Sequence, residues 1–323
     1  AEYWFPGTWE LGVQEDDDDG EPYIHHFPDG NAGIARSLVR DLVPEAMPGS
    51  TMEDLVTARA DYSLLDQPDA DVQIRLNSTA VNVANSKDGK FVDVTYVSGG
   101  ETVRVRARHA VLACYNNVIP YLCDELPERQ VDAIRYATKI PFVIGNIAIR
   151  NWRAWAEAGF HRFYSPGDVY FKYLPLDFPV SMGDYHYSKG PDEPIVLSGW
   201  FSPTTRGLPA KDQYRAGQAK LLQMTYDDFE KGIFTHLDGM LGPYGFDAER
   251  EIAAITLNRW PHGYAYEFEG IGGPMEYGRD NGPHIAGRAQ IGRISSAYSD
   301  YEAYAYVDGA IDAADRAVNE QLG

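Results

Sequence analysis

The residues best suited to chemistry gather toward the end of this chain. Residues 287–317 read GRAQIGRISSAYSDYEAYAYVDGAIDAADRA. A short run, 290–297, holds Ile291 and Ile294 and suits a buried strand. Ser299 and Asp300 follow in a turn. Residues 303–322 then have helical periodicity, with Ala305, Val307, Ala310, Ile311, Ala314, Ala317 and Val318 as a small-residue face. A strand, a turn bearing an acid and a helix of small residues can hold a dinucleotide. The first N–H groups of a helix have no partner inside it and turn toward phosphate, and small side chains let the backbone come close. A complete dinucleotide fold also needs a first strand, glycine loop and helix. No G-x-G-x-x-G occurs. Its nearest approach, Gly270-Ile271-Gly272, has Met275 where the third glycine belongs. The expectation is half of a dinucleotide site, completed by another chain or a missing N-terminal segment.

Composition narrows the partners. The 323 residues carry a net charge of −20, which argues against nucleic acid, since phosphate contacts need a basic face. Such a surface steers a cationic substrate inward, or serves solubility alone. The most apolar stretch, about residues 140–149, is far short of a membrane span, so no transmembrane segment is expected. Cys114 and Cys123 form no metal pattern and read as plain buried thiols, with a disulfide between them as the alternative. The eight histidines show no H-x-x-x-H or H-E-x-x-H spacing, so no metal site is expected. The run Glu15-Asp16-Asp17-Asp18-Asp19 reads as an exposed loop without calcium-loop spacing.

The elements that must position the tail come next. Asn31 can cap a helix running to Val43 and ended by Pro44. Residues 72–83, 91–97 and 102–107 alternate as strands, joined by turns at Lys87-Asp88-Gly89-Lys90 and Gly99-Gly100. Residues 109–114 form a short buried run, as a parallel strand does. Helices are expected over 128–136, 151–158 and, as a pair, 212–241; strands over 142–150 and 252–260. The fold class is α/β with α+β insertions. Residues 1–135 are assigned to a dinucleotide-binding part with a strand region, 136–260 mainly to a substrate domain, and 261–323 to the C-terminal cofactor segment.

Six blocks carry a family resemblance: HFPDGNAGIARSLVRDLVP, DLVTARADY, RLNSTAVNV, RARHAVLACYNNVIPYL, ITLNRWPHGYAYEF and IGRISSAYSDYEAYAY. In this order they resemble the spermidine dehydrogenase branch of the flavin amine oxidases, from about residue 21 onward. The resemblance implies a partial amine-oxidase-like fold, FAD as cofactor, in some members a b-type haem as well, and a periplasmic location. It lacks the family's N-terminal glycine-loop segment, which a second polypeptide would carry.

The resemblance also implies roles. Val81 or Val83 would meet the adenine through its backbone, with Ala113 and Cys114 on the crossover behind the adenosine. Asp300 would accept from ribityl or ribose hydroxyls, and the N–H groups near Tyr304, Ala305 and Tyr306 would face pyrophosphate or a flavin carbonyl. Arg293 and Ser299 complete the cofactor-binding set. Trp260, His262, Tyr264 and Tyr266 would line the substrate side, where aromatic faces hold an ammonium by cation–π contact. Lys139 would stand near the flavin N5, where an ammonium favours the reduced, anionic ring; the plainer reading is a surface lysine. His25 and His26 read as structural histidines, with a haem ligand as the alternative.

The expected function is part of an FAD-dependent amine or polyamine oxidoreductase that takes a C–N bond to an imine. A second reading is oxidation of an amino acid, with Arg150, Arg259 or Arg293 on the carboxylate, or a desaturation. A third is a non-catalytic subunit.

Overall fold

The computed structural model describes residues 27–166, 169–177, 179–205, 207–265, 277–278 and 280–323. The acidic run at 15–19, His25, His26, the glycines at 270–273 and Tyr266 lie outside the described residues. The chain divides into two compact units.

The described part of the first unit covers residues 27–74 and 180–186. Helix α1 (Ala32–Leu42) leads through a 3-10 turn, Pro44–Ala46, to the short α2 (Met52–Leu55). Asn31 stands at the N-cap as expected, but its side chain makes no capping bond. Thr51 and Asp54 do form a reciprocal capping box on α2. Arg36 donates to the carbonyls of Leu55 and Ala58, and Arg40 pairs with Asp54 at 2.8 Å. These bonds fold the loops over a small core of Val43, Ala46 and Leu65.

The second unit begins with an antiparallel meander of β1 (Ser78–Asn85), β2 (Val92–Ser98) and β3 (Glu101–Ala107). The strand expected from residue 72 starts only at 78, after Asn77 at φ +51. Strand β4 (Ala110–Leu112) leads to the short α3 (Ile119–Leu122) and to α4 (Glu128–Tyr136). Next come β5 (Phe142–Ile149), α5 (Arg153–Ala158), the paired β6 (Arg162–Tyr164) and β7 (Tyr173–Pro175), and β8 (Ile195–Phe201). Helices α6 (Ala210–Gln223), α7 (Tyr226–Leu241) and α8 (Ala248–Glu251) precede β9 (Ile252–Trp260). The tail holds α9 (Pro283–Gly287), β10 (Ile294–Ser296) and α10 (Val307–Leu322).

Two sheets organise this unit. In the order β8–β5–β9 all neighbours are antiparallel. Residues of β5 alternate between half-buried and buried, and the buried set, Val143, Ile147 and Ile149, packs with Trp155, Leu221, Phe229, Ile233 and Leu237. Gly145 and Gly199 face each other across the ladder because the Phe171 ring lies over them; a Cβ on Gly145 would stand 2.5 Å from it. The second sheet is the parallel pair β10–β4. Its core joins Leu112, Ile294 and Tyr301 to Val83 and Val92 of the meander and Ile134 of α4. Asn85 pins the meander to the tail: its Nδ2 donates to the Ile291 carbonyl and its Oδ1 accepts from the Arg293 N–H.

The tail corrects two expectations. The strand is three residues long, because Gly292 at φ +58 turns the chain and Ile291 only bridges back to Ile294. Helix α10 starts at Val307, not at 303, and of the expected small-residue face it buries only Ala317 fully. Gly309, Ala313 and Ala317 are buried, whereas Ala310, Ile311, Ala314 and Val318 are exposed. The helix has two apolar stripes, and the smaller side chains allow the closer approach to β10.

Candidate active site around Lys139 and Asp300

Lys139 stands three residues before β5, and Asp300 lies in the 3-10 turn Ser299–Tyr301 after β10. The Lys139 Nζ is 2.6 Å from Asp300 Oδ2, and both side chains are fully buried. The expected alternative of a surface lysine is thereby excluded. Two rings enclose the ammonium. Tyr115, from the stretch after β4, is 4.2 Å away at its centroid, and Tyr298, just after β10, is 5.0 Å away. The two rings meet edge to face. The carboxyl ends of both parallel strands therefore build the box, which is where open α/β sheets bind ligands. A buried ammonium is tolerable only with such compensation.

The electrostatics follow from this enclosure. Burial pushes the Lys139 pKa down, while the charge and hydrogen bond of Asp300 pull it back. Burial raises the Cys114 thiol, and the Lys139 charge opposes that. Burial raises the Tyr298 phenol too, helped by Tyr115 and Asp300. His262 is held below the ordinary imidazole value by burial first and by Lys139 second, against Asp300. Gln218 of α6 ties the site together. Its Nε2 donates to the Lys139 carbonyl at 2.8 Å and lies 3.3 Å from His262 Nδ1. Gly217 makes that reach available, since a Cβ there would stand 1.9 Å from the Pro203 carbonyl oxygen.

An aromatic group gathers at the start of β5, three residues beyond Lys139. Phe142 opens β5 and pairs with Trp260 at the end of β9. Its ring lies 6.2 Å from Tyr264 and 6.1 Å from Trp200. The Gly263 N–H donates to the Ile140 carbonyl, which draws the segment from Trp260 to Tyr264 against the strand entry. Tyr264 and Trp200 are exposed, at 41% and 51%. Phe142 and Trp200 are not among the site residues expected from the sequence, and residues 195–201, IVLSGWF, carry no clean alternation that marks β8.

The cofactor candidates divide. Val81 is exposed and is the extra residue of a bulge between Ala80 and Asn82, so its backbone leaves the ladder; Val83 points into the core. Ala113 is exposed and Cys114 half-buried just beyond β4. Ser299 is half-buried, and its carbonyl accepts from the N–H groups of Glu302 and Tyr304. The Tyr304 and Tyr306 rings meet at a tilt with centroids 4.8 Å apart, with half-buried Ala305 between them in sequence. Arg293 is not brought to this site. It precedes β10, at the opposite end from Asp300, and its guanidinium donates to the carbonyls of Gly89 and Arg108. Arg150 and Arg259 are also spent on carbonyls, of Arg250 and Met224.

Polar groups near the pair fit a flavin. Oδ1 of Asn116 and of Asn117, just past β4, are buried without a hydrogen-bond partner among the described residues. The α10 N-terminus carries no side-chain cap, and Asp308 in its first turn disfavours phosphate while leaving N–H groups for a neutral carbonyl. A flavin offers both hydroxyl donors and ring carbonyl acceptors. Among the described residues no group of three or more His, Cys, Asp or Glu could hold a metal ion, and no helix is long and apolar enough to cross a membrane. Both cysteines are free.

No protein-family model matches the chain, and no curated protein matches it by sequence. Among solved structures it is similar to cyclohexylamine oxidase from Brevibacterium oxydans IH-35A, with 16% identity, TM-score 0.47, and coverage of 75% of this chain and 47% of that one. It is also similar to a triple mutant of putrescine oxidase, with 17% identity, TM-score 0.48 and coverage of 76% and 48%. For wild-type putrescine oxidase bound to putrescine the values are 17%, 0.45, 76% and 48%. The chain thus spans less than half the length of each.

Proposed function

We propose that this chain forms the substrate side and the C-terminal cofactor segment of an FAD-dependent amine oxidoreductase. The observation that carries this is the buried Lys139–Asp300 pair at the carboxyl ends of β4 and β10, enclosed by Tyr115 and Tyr298. When bound, FAD supplies the two-electron acceptor for oxidation of an amine C–N bond to an imine. Asp300, Asn116, Asn117 and the open N-terminus of α10 are the groups that would hold it. The Lys139 ammonium sits where it compensates negative charge developing beside it, and the dry box magnifies that effect. The exposed aromatic faces hold the amine by cation–π contacts, about 0.5–2 kcal/mol each. The net charge of −20 concentrates cations, so polyamines such as spermidine are the first substrates to try. The periplasmic location rests on the resemblance alone.

A second segment completes the site in this reading. Among the described residues β4 pairs with β10 alone, and a two-stranded parallel sheet is an unusual end state, because parallel sheets are normally extended and covered. The exposed stripe of Ile311, Ala314 and Val318 on α10 lies ready for a helix. A strand on the free edge of β4 followed by a helix on that stripe would satisfy both. Oxidation of an amino acid is the weaker reading, because the three arginines suited to a carboxylate are engaged elsewhere.

The test is the visible spectrum of the protein purified with whatever accompanies it, followed anaerobically during addition of spermidine, putrescine and a set of amino acids. Flavin bands bleached by amines support the proposal, and a haem would add a Soret band. Absence of flavin, or bleaching by amino acids alone, rejects it.

A further inference from the structure

The turn that presents Asp300 is held from behind by another buried carboxylate. Glu302 is 8% exposed. Its Oε2 accepts from Arg288 Nη1 at 2.6 Å, and its Oε1 from Arg316 Nε at 3.3 Å. Each arginine is anchored in turn. Arg288 Nη1 also donates to the Tyr301 carbonyl, Arg316 Nη2 to the Ser296 carbonyl, and Arg316 Nη1 to Glu320. Arg288 directly follows α9 and Arg316 belongs to α10, so two elements meet on Glu302, and Arg316 ties them to Ser296 at the end of β10.

The next residue is strained. Ala303 is fully buried and adopts φ +50. Left-handed backbone brings an alanine Cβ too close to the following carbonyl, and such a conformation persists only where its surroundings impose it. The Ala303 N–H donates to the Asp300 carbonyl, so this backbone conformation and the aim of Asp300 belong to one turn.

We propose that Glu302 is a positioning residue: its two-arginine clamp holds Ala303 in left-handed backbone and thereby keeps the Asp300 carboxylate on Lys139. Its catalytic meaning rests on the flavin reading above, whereas its geometry can be tested without cofactor. A carboxylate that merely staples α10 to the sheet would affect stability and leave the Lys139 environment unchanged.

The experiment is acetylation of lysines by acetic anhydride in the full chain, read residue by residue by mass spectrometry, on variants whose circular dichroism shows them folded. Wild-type Lys139 is protected relative to the exposed Lys87 and Lys189. Glu302→Gln raises its labelling at least about tenfold by opening the turn locally. Adding Ala303→Gly restores protection to within about threefold of wild type, because glycine takes positive φ without steric cost. Should Glu302→Gln fail to fold, Arg316→Gln, which leaves the Arg288 contact, takes its place with the same rescue. Unchanged labelling in the folded variant, increased labelling that glycine does not rescue, or free labelling of wild-type Lys139 each overturns the proposal. Flavin content is measured separately on the same proteins, so a chain that passes the labelling test but holds no flavin retains the clamp and loses the flavin reading.

Discussion

The ammonium of Lys139 and the carboxylate of Asp300 lie 161 residues apart in sequence and 2.6 Å apart in space, with neither side chain exposed to solvent. One comes from the entry to β5, the other from the turn after β10. Each is the other's charge compensation, so neither can be changed alone without a consequence for its partner.

Asp300→Asn should destabilise the fold by about 3–5 kcal/mol, because it leaves a buried ammonium uncompensated. The double variant Lys139→Met/Asp300→Leu should recover most of that loss, since well-packed apolar pairs often replace buried ion pairs at no cost. Urea unfolding of the singles and the double measures the coupling, and additive effects would refute a tight pair. Burial depresses the Lys139 pKa, so between the folded and the ordinary value the unfolded chain binds more protons than the folded chain. Stability supplied by this group therefore increases as pH rises across the window below 10.5, the ordinary value. Asp300→Asn should extend that window downward.

His262 predicts acid sensitivity. Its folded pKa lies below the ordinary 6.5, chiefly through burial. The stability it supplies is complete above that value and is lost as pH falls through the folded pKa, where the unfolded chain binds the extra proton. His236 is depressed by burial in the same direction. The urea midpoint should fall below about pH 6.5, and His262→Gln should flatten part of that slope. A slope identical to wild type would mean that the ring is not desolvated beside Gln218.

Gly217→Ala should cost about 1–3 kcal/mol through overpacking against the Pro203 carbonyl and the Pro141 ring. Because Gln218 is the next residue, displacement of α6 should also loosen the Lys139 carbonyl. Thermal unfolding reads the first effect, and anhydride labelling of Lys139 reads the second. A neutral substitution would show that α6 has room to move.

Ile311→Glu with Val318→Glu tests the open stripe of α10. Both side chains are exposed, so the chain's own stability should change by less than about 0.5 kcal/mol. Flavin retention should nonetheless collapse if another segment packs on this stripe. Full flavin content in the double variant would locate any partner elsewhere.

A substantial part of this architecture is legible in the residues themselves. The expected bounds of α4 and β9 coincide with the observed ones, and β5 ends one residue early. These are segments in which periodicity, a Pro before the start or a charged stop acts within a few residues. Residues 110–112 and 294–296 read locally as parts of two buried runs, whereas their parallel pairing is legible only in the structure. Strand β8 is not legible locally, because its glycine and tryptophan make sense only against Phe171 and Phe142.

What the sequence determined alone was the local menu: which segments are helical, which alternate, and that Lys139, the aromatic block after β9 and the acid of the tail are candidates for one site. Tertiary structure decided their relations. It chose which of two apolar stripes α10 buries, because Gly309, Ala313 and Ala317 can approach a strand more closely than Ile311 and Val318 can. It sent Arg293 to the Gly89 carbonyl at the far end of β10, since a strand carries its flanking residues to opposite ends. And it joined Lys139 to Asp300, a contact that no local pattern encodes, because a buried charge must find its counter-charge wherever the chain brings one.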